Sequence, residues 1–190
     1  NQRKNHIATR KESLIGINLY PDANETMETK PNLSTPQTEK EKSKFHIGEP
    51  IRPYRVAEEI EKLRATTEGF NGSRPHVLLL PLGNKKMRRA RAQFSAGFFA
   101  AAGFQITDPT GFNTVNQGIR EALERNPDIV VICASDEEYP ELVPHIYHTL
   151  KDKAMVVVAG YPKKSVEELK KLGNVHFIHK HSDLVEVLSR

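Results

Sequence analysis

Cysteine is nearly missing from this 190-residue chain, which carries only Cys133. A lone thiol excludes an intramolecular disulfide and suits a reducing compartment. No apolar run approaches the roughly 20 residues that a membrane-spanning helix needs, and no signal-peptide pattern opens the chain. The expectation is a cytoplasmic protein with no membrane partner. Phosphate-cradling motifs are also lacking: there is no G-x-x-x-x-G-K-[ST] and no G-x-G-x-x-G behind a strand. Apolar residues make up only 37% of the chain and mean hydropathy is -0.56, so a polar segment is expected to dilute an ordinary core. The net charge of +4 is localised, because the opening basic run supplies that excess and leaves the remainder close to neutral. A nucleic-acid partner is therefore not expected.

A local absence matters more. From Gly83 until Asp108 there is no acidic residue, while Lys85, Lys86, Arg88, Arg89 and Arg91 crowd together. The surrounding stretch reads as strand, tight loop, helix and strand. His76–Leu82 is a short apolar run of the kind buried on both faces of a parallel sheet. Met87, Ala90, Phe94, Phe98 and Ala101 recur at helical spacing, and Gly103 stops that helix before a strand at Phe104–Thr107. Phe99 lies off this stripe, in the core or on a second apolar face.

Strands and helices then alternate. A helix with Val115, Ile119 and Leu123 inward ends at Pro127, and Asp128–Ala134 is the third strand. After the acidic loop Ser135–Glu138, Pro140 can occupy the first turn of a helix with the stripe Val143, Ile146, Tyr147 and Leu150. Ala154–Ala159 is the fourth strand, Ser165 with Glu168 a capping box, Val175–Ile178 the fifth strand, and Asp183–Ser189 a closing helix. This pattern predicts an α/β fold, a doubly wound (flavodoxin-like) five-stranded parallel sheet of order 2-1-3-4-5. Upstream, Leu14–Tyr20 reads as an extended stretch from a preceding sheet that the chain lacks. Asp22–Gly48 reads as an extended linker, Glu49–Pro53 as a short extended piece, and Tyr54–Thr67 as a helix with Val56, Ile60 and Leu63 on one side.

In a 2-1-3-4-5 sheet the loops after strands one and three face each other across the ligand crevice. Cations at a helix N-terminus cost roughly 0.3–1 kcal/mol each, so the basic loop calls for acidic compensation. Three readings stay open: a solvated basic turn, a grip on a phosphate or nucleotide through Lys85–Arg91, and a crevice closed from within. The last expects Lys85, Lys86, Arg88 or Arg89 within salt-bridge reach of Asp136, Glu137 or Glu138. Cys133 closes an apolar strand and reads as a small core residue rather than a nucleophile. His145 and His148 have no third ligand in view, and His176 and His179 point to opposite faces of a strand, so no metal site is expected.

Residues Arg74 to Arg190 resemble the C-terminal cobalamin-binding-type domain of the methylmalonyl-CoA mutase family. Arg10-Lys-Glu-Ser-Leu-Ile-Gly-Ile-Asn-Leu-Tyr-Pro21 looks like the end of that family's acyl-CoA-binding (β/α)₈ barrel, and Arg52–Arg64 is similar to the helix that follows it. The resemblance implies four parts: residues 1–21 as the barrel's tail end, 22–53 as linker, 54–73 as connecting helix and 74–190 as the α/β domain. Members that bind cobalamin carry Asp-x-His-x-x-Gly after strand one, the histidine serving as lower cobalt ligand. Counted back from Ala102-Gly103-Phe104, these positions fall on Lys86, Arg88 and Arg91. The family's Ser-x-Leu falls on Cys133, Ala134 and Ser135, and its Gly-Gly is half kept as Ala159-Gly160. A guanidinium has no lone pair to give a metal, and Arg91 stands where the corrin tail would approach. The pattern looks like the non-catalytic small subunit of a heterodimeric mutase. It implies a degenerate domain without cofactor or catalytic residue, and a large-subunit partner holding adenosylcobalamin. The alternatives are an anion- or nucleotide-binding module using the basic loop, and a cobalamin domain without a histidine ligand.

Overall fold

The computed structural model describes residues 2–26, 55–70 and 72–189. Five strands, β1 (His76–Pro81), β2 (Gln105–Thr107), β3 (Ile129–Cys133), β4 (Met155–Ala159) and β5 (Val175–Ile178), form one sheet. All its pairings are parallel and the order is β2-β1-β3-β4-β5, as the alternating pattern predicts. The central strands read as continuous apolar runs because helices cover both faces. Val77, Leu79, Val131, Cys133, Val157 and Ala159 point into one core; Leu78, Leu80, Val130, Ile132, Val156 and Val158 point into the other. The first core is closed by α2 (Glu58–Gly69), α3 (Lys85–Ala100) and α7 (Leu184–Leu188). The second is closed by α4 (Val115–Arg125), α5 (Tyr139–Leu150) and α6 (Val166–Lys170).

Several local expectations need correction. The expected α3 stripe holds in its second half, where Phe98 and Ala101 are buried and Phe94 packs on the core, but Met87 is only half-buried and Ala90 is exposed. In the first half the buried face is rotated to Ala92 and Ser95, small residues that let the helix approach the sheet closely. Phe99 belongs to the core, its ring stacked on Phe104 at 5.8 Å. On α4, Ala122 is buried and Leu123 is exposed. The capping box forms at Thr114 and Gln117, while Ser165 makes no side-chain cap bond. Helix α2 begins at Glu58, later than the expected Tyr54, a residue outside the described set. The Val143, Ile146, Tyr147 and Leu150 stripe of α5 is buried as expected.

The N-terminal segment departs most from expectation. It opens with a helix, α1 (Gln2–Ala8), and Leu14–Tyr20 is a set of turns with one isolated bridge between Ile15 and Leu19 rather than a strand. Asn18 organises these turns: its side chain accepts from the Leu14 amide at 2.7 Å and donates to the carbonyls of Ile7 at 2.8 Å and Glu12 at 2.9 Å. Ile7 is buried in the core that holds Phe98 and Ile60. Only the first residues of the Asp22–Gly48 linker are described; the rest, with Glu49–Pro53, lies outside the described residues. That short described piece is clamped, since Arg64 Nη2 donates to the carbonyls of Asp22 at 2.9 Å and Glu25 at 2.5 Å.

Candidate functional site

The strand order reverses between β1 and β3, so the crevice of this fold lies beyond their C-terminal ends. Leu82 leaves β1 still bonded to the Cys133 carbonyl at 3.0 Å, and Gly83 turns the chain at φ +66. Asn84 caps α3, its Oδ1 accepting from the amides of Lys86 and Met87, both at 3.1 Å. From the opposite wall comes Glu138. Its Oε1 accepts from the Asn84 amide at 2.9 Å, and its Oε2 from the Ser135 amide at 2.9 Å and hydroxyl at 2.7 Å. One carboxylate therefore ties the two loops together at the positive end of α3, where a negative charge is favourable. A Cβ at Gly83 would lie 2.1 Å from Glu138 Oε1, so any side chain there would have to push the carboxylate out of its place. Desolvation pushes the Glu138 carboxyl up, but the hydrogen bonds from Ser135 and Asn84 outweigh it and hold it below the usual carboxylate range.

Behind Glu138 the crevice is crossed by Arg91, whose Nη2 donates to Asp136 Oδ1 at 2.8 Å. This pair lies over Gly160: a Cβ there would meet Asp136 Oδ1 at 3.1 Å, Tyr139 at 3.2 Å and Arg91 Cζ at 3.3 Å. Tyr139 is fully buried and donates its hydroxyl to the Ala159 carbonyl at 2.7 Å, which locks the ends of β3 and β4 together. Burial also pushes its hydroxyl pKa well up, so it stays neutral. Arg88 leans the other way, donating to the Phe112 carbonyl at 3.3 Å with its guanidinium against Gly111, where a Cβ would come within 2.7 Å of Cζ.

The ion pair between the facing walls thus exists, but it is made by Arg91. Among the described residues none of Lys85, Lys86, Arg88 and Arg89 pairs with Asp136, Glu137 or Glu138. These four lie at the start of α3, ahead of Arg91, the cation that reaches Asp136. Lys85, Lys86 and Arg89 are exposed. Cys133 is buried, with Sγ 3.9 Å from Ser95 Oγ; burial pushes its thiol up to about 12, leaving it no thiolate at neutral pH. Ser135 serves Glu138. His145 bonds Asn116 at 3.2 Å, and among the described residues no cluster of three or more His, Cys, Asp or Glu side chains could hold a metal. No described helix is long and apolar enough to cross a membrane. Sequence reasoning set Glu138 across the crevice from the basic loop, but as a partner for Lys85, Lys86, Arg88 or Arg89; it missed the Asn84 amide as the group that Glu138 holds. Asn84, just ahead of a helix, carried a capping signal.

No family model matches the chain. Curated relatives do. A methylmalonyl-CoA mutase small subunit from Porphyromonas gingivalis is 38% identical over 187 residues, 98% of this chain and 30% of its own length. Probable methylmalonyl-CoA mutase small subunits from Mycobacterium bovis and Mycobacterium tuberculosis are each 29% identical over 171 residues, 87% of this chain and 25% of theirs. The chain therefore spans less than a third of the length of these relatives. With 98% of its residues aligned to a relative at 38% identity, the chain belongs to the methylmalonyl-CoA mutase family.

Proposed function

We propose that this chain is the C-terminal part of a methylmalonyl-CoA mutase small subunit, and that its α/β domain assists assembly with a cobalamin-carrying large subunit without binding cobalamin itself. On this reading the large subunit holds adenosylcobalamin and carries out the isomerisation of methylmalonyl-CoA and succinyl-CoA, and residues 1–21 close a preceding barrel. The observation that carries the non-binding reading is the closed crevice. The residues present do not fit a corrin: Arg88 offers no lone pair, Arg91 and Asp136 cross the space above Gly160, and Glu138 holds the two walls together. No histidine stands in the loop after β1.

The anion-binding reading draws support from exposed Lys85, Lys86 and Arg89, but three of the backbone donors that a phosphate would use are engaged. Asn84 Oδ1 takes two of them and Glu138 a third. Titrating the chain with adenosylcobalamin and hydroxocobalamin, followed by absorbance and calorimetry, tests the proposal. No binding is expected up to about 100 μM, which corresponds to a free energy weaker than about -5.5 kcal/mol. Micromolar binding would overturn it. Arg88→His alone should not create a site, because Arg91 still crosses the crevice.

A further inference from the structure

Away from the crevice, a groove of about 580 Å³ runs between the N-terminal segment and the outward face of α3. Its walls are mostly apolar, with Leu19, Phe94, Ala96, Ala100 and Ile106 among them. Among the described residues two cations line it, Arg10 and Lys180, and no acidic residue does. Arg10 is half-buried, its guanidinium carbon 4.6 Å from the Phe94 ring centroid and 4.9 Å from that of Phe98. Its Nη2 donates to the His179 carbonyl at 3.3 Å, while its Nε is buried without a hydrogen-bond partner. Neither cation forms an ion pair among the described residues.

An unpaired, partly desolvated cation is costly unless something supplies the opposite charge. Burial pushes the Arg10 pKa down, with no carboxylate among the described residues to oppose it. The neighbouring His179 is also pushed down, first by burial and then by the charges of His181 and Arg10. The field at this end of the groove is therefore positive. Two non-glycine residues held in the left-handed region, Arg10 at φ +58 and Tyr20 at φ +51, both line the same groove. That conformation persists only where the surroundings impose it. Here it turns the Arg10 side chain back over the phenylalanine rings.

We propose that this groove is a binding site for a small carboxylate bearing an apolar tail, the carboxylate lying between Arg10 and Lys180 and the tail along α3. The inference goes beyond the proposed subunit role and uses none of the crevice residues. A guanidinium with one N–H spent on the His179 carbonyl, and one ammonium, beside an apolar wall match a singly charged amphiphile. A dianionic phosphate would set its remaining oxygens against that apolar wall.

Octanoate serves as the probe, with octanol as its uncharged analogue and acetate as its tailless one, each titrated into the intact chain by calorimetry. Saturable octanoate binding is expected, with octanol and acetate each at least about tenfold weaker. Arg10→Met keeps much of the side chain's bulk and removes the charge, and should weaken octanoate about tenfold or more. Because Arg10 packs on the core, a second variant guards against misfolding. A Cβ at Gly97 meets nothing within 4 Å, so Gly97→Leu fills the groove on a helix that tolerates it, and should abolish binding while the circular dichroism spectrum is kept. Absence of octanoate binding overturns the site. Equal binding of octanol, or octanoate binding unchanged in Gly97→Leu, overturns it as well.

Discussion

At the scale of single residues, the crevice is governed by a glutamate that no motif marks. Glu138 joins the capped start of α3 to the loop after β3, and Gly83 keeps the space that lets it do so. Gly83→Ala would put a Cβ on the carboxylate and strain a positive φ at the same time. A loss of roughly 1–3 kcal/mol is expected in denaturant unfolding, and an unchanged midpoint would show that the bridge is dispensable. The pH dependence follows from the direction of the Glu138 shift. Its folded pKa lies below the ordinary 4.5, so its contribution is complete above that value and is lost as pH falls through the folded pKa. Glu138→Gln should therefore cost roughly 1–2 kcal/mol at pH 7, and the gap to the unsubstituted chain should shrink below about pH 4.5. A gap constant from pH 7 to pH 3 would contradict the charged bridge. Arg91 and Asp136 are expected to matter less, since Asp136 is 44% exposed and such pairs are worth roughly 0–1 kcal/mol.

At the scale of elements, helix α3 decides how the crevice is furnished, because its rotation selects which cation faces β3. Two alanines measure that rotation. Ala92 is 1% exposed against the sheet, and Ala90 is exposed to solvent. Ala92→Leu should overpack the core and cost roughly 1–3 kcal/mol, while Ala90→Leu should stay within about 0.5 kcal/mol. The reverse order in thermal or denaturant unfolding would restore the Met87–Ala90–Phe94 face as the buried one. The same helix shows why the sequence is only partly legible. Strands β1, β3 and β4 announce themselves because burial on both faces demands unbroken apolar runs, and α5 because Val143, Ile146, Tyr147 and Leu150 are large. The α3 face is built from Ala92 and Ser95, which add little to a hydropathy stripe although they set the closest approach to the sheet. Leu123 on α4 misleads in the opposite sense, a large apolar residue left at the surface beside buried Ala122. Glu138 and the Arg91–Asp136 pair join residues 54 and 45 positions apart, a distance at which local spacing says nothing.

At the scale of the whole molecule, the question is whether residues 2–26 belong to this α/β unit or only pass over it on the way from a preceding barrel. Their contacts favour membership. Ile7 is 3% exposed within the core of Phe98 and Ile60, and Arg10 stacks on Phe94 and Phe98. Lys4 reaches Glu59 on α2 at 3.0 Å, and buried Arg64 holds the Asp22 and Glu25 carbonyls while its Nε is anchored on Glu68 at 2.9 Å. Arg74 adds a bond to the Ala23 carbonyl at 3.3 Å. Burial of Ile7 alone is worth roughly 1.5–3 kcal/mol, and loss of the segment would take away the carbonyl partners of Arg64. A chain shortened to Arg55–Arg190 should therefore unfold some 6–12 °C below the full chain, for a loss of about 3 kcal/mol in a unit of this size. The peptide covering residues 1–26, added in excess, should raise that Tm again, because a ligand that binds only the folded state stabilises it by mass action. If the shortened chain melts within a degree or two of the full chain and the peptide changes nothing, the segment only rests on the surface. Its structural role would then lie with whatever precedes it, as the barrel reading of residues 1–21 holds. A large deficit restored by the peptide would instead make α1 and the Asn18 turns part of the domain that α3 and the sheet build.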